Sequence, residues 1–210
     1  MPTTITRIQK TRLGRFSLYG EEGFLFSLDS ETYFSCGVEE GDTLTDNDLA
    51  ALREKSDARK AKDKALQYLS LRLYGERELY DKLCLKFDGP TSAAAVAEMV
   101  RLELLDDARF AAQKAVWLKT RHKSRREAQR QLAEKGVDRN LIDEALDEVY
   151  GDGDEREEID RLIRRSYAAK LENGRRDAVY AALCRRGFAP RTVREALNDW
   201  ADAQPEGWDE

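Results

Sequence analysis

Few side chains in this sequence are of types that do covalent or metal chemistry. His122 is the sole histidine and lies within a basic run, so neither the usual metal site nor a Ser/His/Asp arrangement can be built around it. Cys36, Cys84 and Cys184 are far apart and form no CxxC or Cys/His cluster. An odd, scattered set suits reduced thiols, and Cys84 and Cys184, each following a leucine, read as small residues at the edge of a core. Asp106 and Asp107 are adjacent carboxylates, but adjacent positions do not face each other on a helix. They read instead as the cap of a helix starting at Ala108, where negative charge suits the positive end of the helix dipole. No phosphate-cradling glycine loop and no nucleophile–base pair is visible. The expectation is a protein that is not an enzyme and needs no cofactor or metal.

What remains is charge. The net charge is -5, which alone argues against a nucleic-acid binder, but the charges fall in blocks. Between Lys119 and Arg139 eight basic residues stand against three acidic ones, and between Arg161 and Arg194 ten stand against two. From Asp147 to Asp160 the sign reverses, with eight carboxylates and one arginine. A polyanion responds to local field rather than to net charge. The candidate contacts to a partner or nucleic acid are therefore Arg121, Lys123, Arg125, Arg126, Arg130, Arg175, Arg176, Arg185 and Arg186. The acidic block works against simple DNA binding and fits pairing with basic surface on a protein. Trp117 and Tyr167 lie beside these runs, where aromatics can stack on unpaired bases, but their positions read more readily as core.

The elements that must position these residues are mostly helices. Phe16 and Leu18, then Phe24, Phe26 and Leu28, alternate with polar residues around Gly20-Glu21-Glu22-Gly23, which predicts a β-hairpin. Thr45-Asp46-Asn47-Asp48 matches a capping box, and from there to about residue 200 the chain reads as helical. Its breaks are Gly89-Pro90, Gly136, Gly151-Asp152-Gly153, Gly187 and Pro190.

One phrase recurs within that helical part. Lys135-Gly136-Val137 precedes Leu141, Ile142, Ala145 and Leu146, while Arg186-Gly187-Phe188 precedes Thr192, Val193, Ala196 and Leu197. Upstream, Ser124-Arg125-Arg126 leads to Leu132, and Gly174-Arg175-Arg176 leads to Leu183 over one residue more. Gly75-Glu76-Arg77, leading to Leu79, Leu83 and Phe87, opens a first copy. Each unit reads as three helices. The first carries a stripe such as Leu66-Leu69-Leu73. The second carries Leu79-Leu83-Phe87, Ala128-Leu132 or Ala178-Ala182, and the third Ile142-Ala145-Leu146-Val149 or Val193-Ala196-Leu197. Glycine in the left-handed conformation, next to a basic residue at the helix C-terminus, stops the second helix. No trio buries its stripe alone, whereas stacked trios share a core. One compact helical bundle is the alternative. In a stack, Arg125-Arg126 and Arg175-Arg176 occupy the same point of successive repeats and form a stripe.

These repeats also resemble the RecX family. Leu73-Tyr74-Gly75-Glu76-Arg77-Glu78-Leu79, with Lys82-Leu83, is similar to its opening signature. Leu104-Leu105-Asp106-Asp107-Ala108-Arg109-Phe110-Ala111 is similar to its junction between first and second repeats. Ser124 through Val137 resembles the second repeat, and Arg185-Arg186-Gly187-Phe188 through Leu197 the third, so that the likeness covers roughly residues 62–200. Two departures are visible. Ser124 stands where the family often has glycine, and Lys86-Phe87-Asp88-Gly89 replaces the usual Lys-Gly stop of the first repeat. The resemblance implies a regulator that binds the RecA filament on single-stranded DNA and inhibits its ATP hydrolysis, strand exchange and co-protease activity.

The expected fold is mainly α: tandem three-helix repeats forming an elongated curved body, with a small N-terminal module containing a β-hairpin. The expected divisions are 1–60 for that module and its connecting helix, 61–109, 110–151 and 152–201 for the repeats, and 202–210 for an acidic tail. No run approaches the ~20 apolar residues that span a bilayer, and no signal-peptide pattern opens the chain, so a cytoplasmic monomer with no membrane contact is expected. Weak or moderate direct DNA binding accompanies this reading. The rival is a helix-turn-helix module acting on duplex DNA without RecA, which the spread of basic residues over two repeats disfavours.

Overall fold

The computed structural model describes residues 2–151 and 155–203. Asp152 and Gly153 of the sequence-predicted break, and residues 204–210 of the acidic tail, lie outside them. The chain divides into two compact units, Met1–Asp106 and Asp107–Glu210.

The first unit opens with strands β1 (Thr3–Thr4), β2 (Arg7–Lys10), β3 (Phe16–Gly20) and β4 (Gly23–Leu28), followed by helix α1 (Ser30–Cys36) and strand β5 (Thr43–Leu44). The hairpin β3–β4 forms where the alternation placed it, with Leu18 opposite Phe26 and Phe16 opposite Leu28. Its turn is tighter than read from sequence: Gly20 pairs with Gly23, leaving Glu21 and Glu22 as the connection. The sheet also gains β2 beside β3, and β1 pairs separately with β5. These strands carry too few apolar residues to show a period of two. Leu18, Phe26 and Leu28 bury one face with Ile5, Val38 and Leu52.

Leu52 comes from α2 (Asp46–Leu69), which begins at the anticipated capping box: Asp48 N donates to Thr45 Oγ1 at 3.2 Å and Thr45 N donates to Asp48 Oδ2 at 2.9 Å. At 24 residues, α2 is about 36 Å long. It serves two cores, the sheet through Leu52 and the first helical trio through Ala61 and Ala65. The other members of that trio are α3 (Glu76–Cys84) and α4 (Gly89–Arg101), contributing Leu79, Leu83, Ala95, Val96 and Met99. Here the sequence reading is corrected. Leu66 is exposed and Leu73 lies beyond the helix, because α2 ends at Leu69 and turns its alanines to α4. Cys84 is exposed as well, since Leu83 takes the core position.

The second unit contains α5 (Asp107–Thr120), α6 (Arg125–Glu134) and α7 (Arg139–Tyr150) as one trio. The next trio is α8 (Glu155–Leu162), a π-helical turn (Ile163–Tyr167), α9 (Ala168–Glu172), α10 (Arg176–Arg185) and α11 (Pro190–Asp202). Buried Ala128 and Leu132 of α6 correspond to Val179 and Leu183 of α10; Ile142, Ala145 and Leu146 of α7 correspond to Val193, Ala196 and Leu197 of α11. The predicted Ala178–Ala182 stripe is therefore one residue out of register, and Ala178 is exposed.

The reason is visible locally. The π turn admits one extra residue into the first helix of this trio. The following connection is one residue shorter, so Arg175 directly follows the left-handed Gly174 and is itself the N-cap of α10. In the preceding trio, left-handed His122 is followed by Lys123 and only then by the N-cap Ser124. The chain is thus mainly α, with tandem three-helix units and a small strand-containing N-terminal module.

Candidate partner and nucleic-acid interface

The nine basic residues picked from sequence separate into three groups once their surroundings are known. The first group meets at the junction between the two trios of the second unit. Ser124 caps α6, its Oγ accepting from Glu127 N at 3.1 Å, and is itself buried. Its own amide donates to Arg186 O at 2.9 Å. Gly187 follows, with φ +94°, so close that a Cβ there would stand 2.6 Å from Ser124 Oγ and 2.3 Å from Glu127 Cβ.

Lys123 Nζ donates to Arg185 O at 3.0 Å, neutralising a carbonyl that the end of α10 leaves without a helical donor. Arg186 donates from NH1 to Arg121 O at 3.4 Å. Tyr150 Oη donates to Lys123 O at 3.2 Å; burial, with Glu158 nearby, pushes the phenol up to about 12. His122 Nδ1 stands 3.4 Å from Glu158 Oε1. Arg121, Lys123, Arg185 and Arg186 are thus brought together, and Lys123 and Arg186 each donate to a carbonyl of the other trio.

The second group is tied within a trio. Arg125, the first residue of α6, pairs with Asp147 of α7, and Arg176, the first residue of α10, donates to Asn198 Oδ1 of α11. These are equivalent positions, so the same strap from second to third helix occurs in both units. Arg130 pairs with Glu127 at 2.8 Å and also with Glu134. That contact, aided by Gln131, holds the Glu127 carboxyl down to about 2. The sequence matched Arg125-Arg126 with Arg175-Arg176; the structure aligns Arg125 with Arg176, and Arg175 with Ser124.

The third group keeps its charge available. Arg126, Arg175 and Arg185 are exposed and have no ion pair among the described residues. Arg121 is exposed too, its guanidinium 5.2 Å from the Trp117 ring centroid. Tyr167 is core, as read from sequence, but Trp117 is not: it is 47% exposed. Lys114 Nζ lies 4.2 Å from the same ring. The spacing of Trp117 and Arg121, four residues apart, is the signal that would have found this pair. Among the described residues no group of His, Cys, Asp and Glu could hold a metal ion, and no helix is long and apolar enough to cross a membrane.

The trios have counterparts in known proteins. Residues 61–99 match the RecX first three-helix domain, and residues 106–146 match the RecX second three-helix domain. The "Regulatory protein RecX" of Caldanaerobacter subterraneus subsp. tengcongensis is 27% identical over 198 residues, covering 92% of this chain and 98% of that protein. The protein of the same name from Staphylococcus aureus (strain JH9) is 26% identical over 210 residues, covering 97% of this chain and 76% of its own length. Among solved structures, a crystal structure of regulatory protein RecX superposes with a TM-score of 0.60 at 22% identity, over 94% of this chain and 99% of the other. A crystal structure of RecX from Lactobacillus salivarius gives 0.52 at 21% identity, over 69% and 97%. These two share the fold. Two successive RecX three-helix domains in chain order, and relatives of one name aligned over nearly the whole chain, make this chain similar to the RecX family.

Proposed function

We propose that this chain binds the RecA filament on single-stranded DNA and restrains its ATP hydrolysis, and with it strand exchange and co-protease activity. The observation that carries the reading is the likeness, over nearly the whole chain, to relatives named as regulatory proteins. It is supported by exposed cations on consecutive repeats that have no ion pair among the described residues, Arg126 on one and Arg175 and Arg185 on the next. A nucleoprotein filament is periodic and carries both phosphates and acidic protein surface, which suits cations displayed at repeat intervals on a protein of net negative charge. The chain acts through binding alone, as a cytoplasmic monomer, and its contact with DNA in the absence of RecA is weak or moderate.

The test is RecA-catalysed ATP hydrolysis on single-stranded DNA with increasing amounts of this protein. Hydrolysis should fall, and the triple reversal Arg126→Glu, Arg175→Glu, Arg185→Glu should relieve most of the inhibition while circular dichroism stays unchanged. Reversal of Arg125 and Arg176, whose guanidinium groups already bond to the third helix of their own trio, should relieve much less. Undiminished hydrolysis at excess protein counts against the reading. A DNA-only binding series across salt measures the phosphate contribution, because phosphate contacts make affinity fall steeply as salt rises.

A further inference from the structure

The N-terminal module has two chemically opposite ends, set by the turns that flank β3. The turn before it is Thr11-Arg12-Leu13-Gly14, where Leu13 is 89% exposed. Lys10, the last residue of β2, stands opposite Phe16, the first of β3, with Nζ 5.8 Å from the Phe16 ring centroid. Phe16 stacks on Tyr33 of α1 at 3.9 Å, and Phe34 makes edge contacts with both rings while staying 72% exposed. The turn after β3 is Glu21-Glu22. The strand between puts the two ends about 13 Å apart.

Charge follows the same division. Residues 1–20 hold four cations, Arg7, Lys10, Arg12 and Arg15, and no carboxylate. Lys10 and Arg12 are exposed and have no ion pair among the described residues. The carboxylates on α1 and beside β2 are already engaged. Asp29 accepts from Thr32 N at the start of α1, Glu31 pairs with Arg59 at 2.8 Å, and Glu40 accepts from Ile8 N at 2.6 Å. The result is an apolar surface rimmed by positive charge. A partner that covers Leu13 and Phe34 needs an apolar recess, and the cations select one edged with carboxylates. Nucleic acid fits less well, because an aliphatic tip offers nothing to a phosphate and the facing sides of Phe16 and Tyr33 are closed to bases.

We propose that this end of the N-terminal module docks on an acidic protein surface. Leu13 and Phe34 enter an apolar recess, and Lys10 and Arg12 pair with the carboxylates around it. The acidic turn Glu21-Glu22 is repelled by the same surface, which fixes the end that approaches. On the proposed function that surface belongs to the protein of the RecA filament, and the inference rests on that reading.

The test is co-sedimentation of the full chain with RecA filaments assembled on oligothymidylate. Leu13→Ser should weaken binding about tenfold while melting as the native chain does, since the side chain is exposed in a turn. Phe34→Ser should lose a similar factor. Lys10→Glu with Arg12→Glu should weaken binding and flatten its dependence on salt. Phe24→Ser, which removes a 60% exposed ring at the acidic end, should bind as the native chain does. Binding to oligothymidylate free of RecA should be the same for all. Native affinity in both Leu13→Ser and the charge reversal overturns the docking surface and leaves the filament reading standing. Equal losses on oligothymidylate without RecA also overturn it, because the surface would then be a nucleic-acid contact. So does a native chain that is dimeric in sedimentation when Leu13→Ser is monomeric, which would assign the surface to a second copy. A native chain that does not bind RecA filaments at all sinks both readings together.

Discussion

Replacing Gly187 by alanine should separate the two trios of the second unit, and the structure allows the cost to be worked out. Two penalties combine. With φ at +94°, a side chain at 187 strains the backbone by about 1–2 kcal/mol. The new Cβ would also stand 2.3 Å from Glu127 Cβ and 3.3 Å from Glu127 Cα, so helix α6 itself must shift, which adds about 1–3 kcal/mol by analogy with overpacked cores. A total of about 3 kcal/mol lowers the melting temperature by about 6–12 °C in a chain of this size.

Gly174→Ala is the control, because Gly174 has φ +69° and nothing within 4 Å of where its Cβ would be. It carries the backbone penalty alone, about 1 kcal/mol. Calorimetric melting of both variants isolates the packing part, and hydrogen exchange locates it. The Ser124 amide, which donates to Arg186 O at 2.9 Å, should lose protection in Gly187→Ala and keep it in Gly174→Ala. Equal destabilisation by the two substitutions, with Ser124 equally protected in both, would refute the close approach of α6 to the α10–α11 turn.

Acid should weaken this region through Glu127. A carboxylate held from an ordinary 4.5 down to about 2 stabilises the folded chain above pH 4.5, and that contribution disappears as pH falls toward 2. Glu127→Gln should therefore show a shallower fall of melting temperature than the native chain across that interval; parallel curves would remove Glu127 from the account. The register of α10 can be tested by paired substitutions. Leu183→Ala, at a fully buried position, should cost about 2–5 kcal/mol in denaturant unfolding, and Ala178→Ser, at an exposed one, less than about 0.5. Comparable costs would restore the stripe read from sequence.

The parts of the fold that were legible depend on near neighbours. The alternation at Phe16–Leu28, the capping box at Thr45–Asp48 and the glycine stops at Gly136 and Gly187 each act over a few residues, and each appears where the residue types placed it. The RecX-like phrases are local in the same sense. Legibility failed where one residue too many or too few could hide. Glycine and arginine recur before α10 much as serine and arginine recur before α6, so residue types alone matched Arg175-Arg176 to Arg125-Arg126. The π turn at Ile163–Tyr167 and the shortened connection shift the match by one residue, and no propensity announces either.

By itself, then, the sequence determined the helical repeats, the N-terminal hairpin, the family likeness and the blocks of charge. These follow from periodicity, caps and composition, which are properties of short windows. Tertiary structure decided which charges are free. Lys123 bonds a carbonyl 62 residues away, Arg125 an acid 22 residues away, and Arg126 finds no ion pair among the described residues, although the two arginines are adjacent in the chain. Successive helix positions point about 100° apart, so neighbours of one type face different surroundings. The packing of distant helices then fixes whether a cation is spent on the fold or left for a partner. The same geometry left Trp117 outside the core and Tyr167 within it.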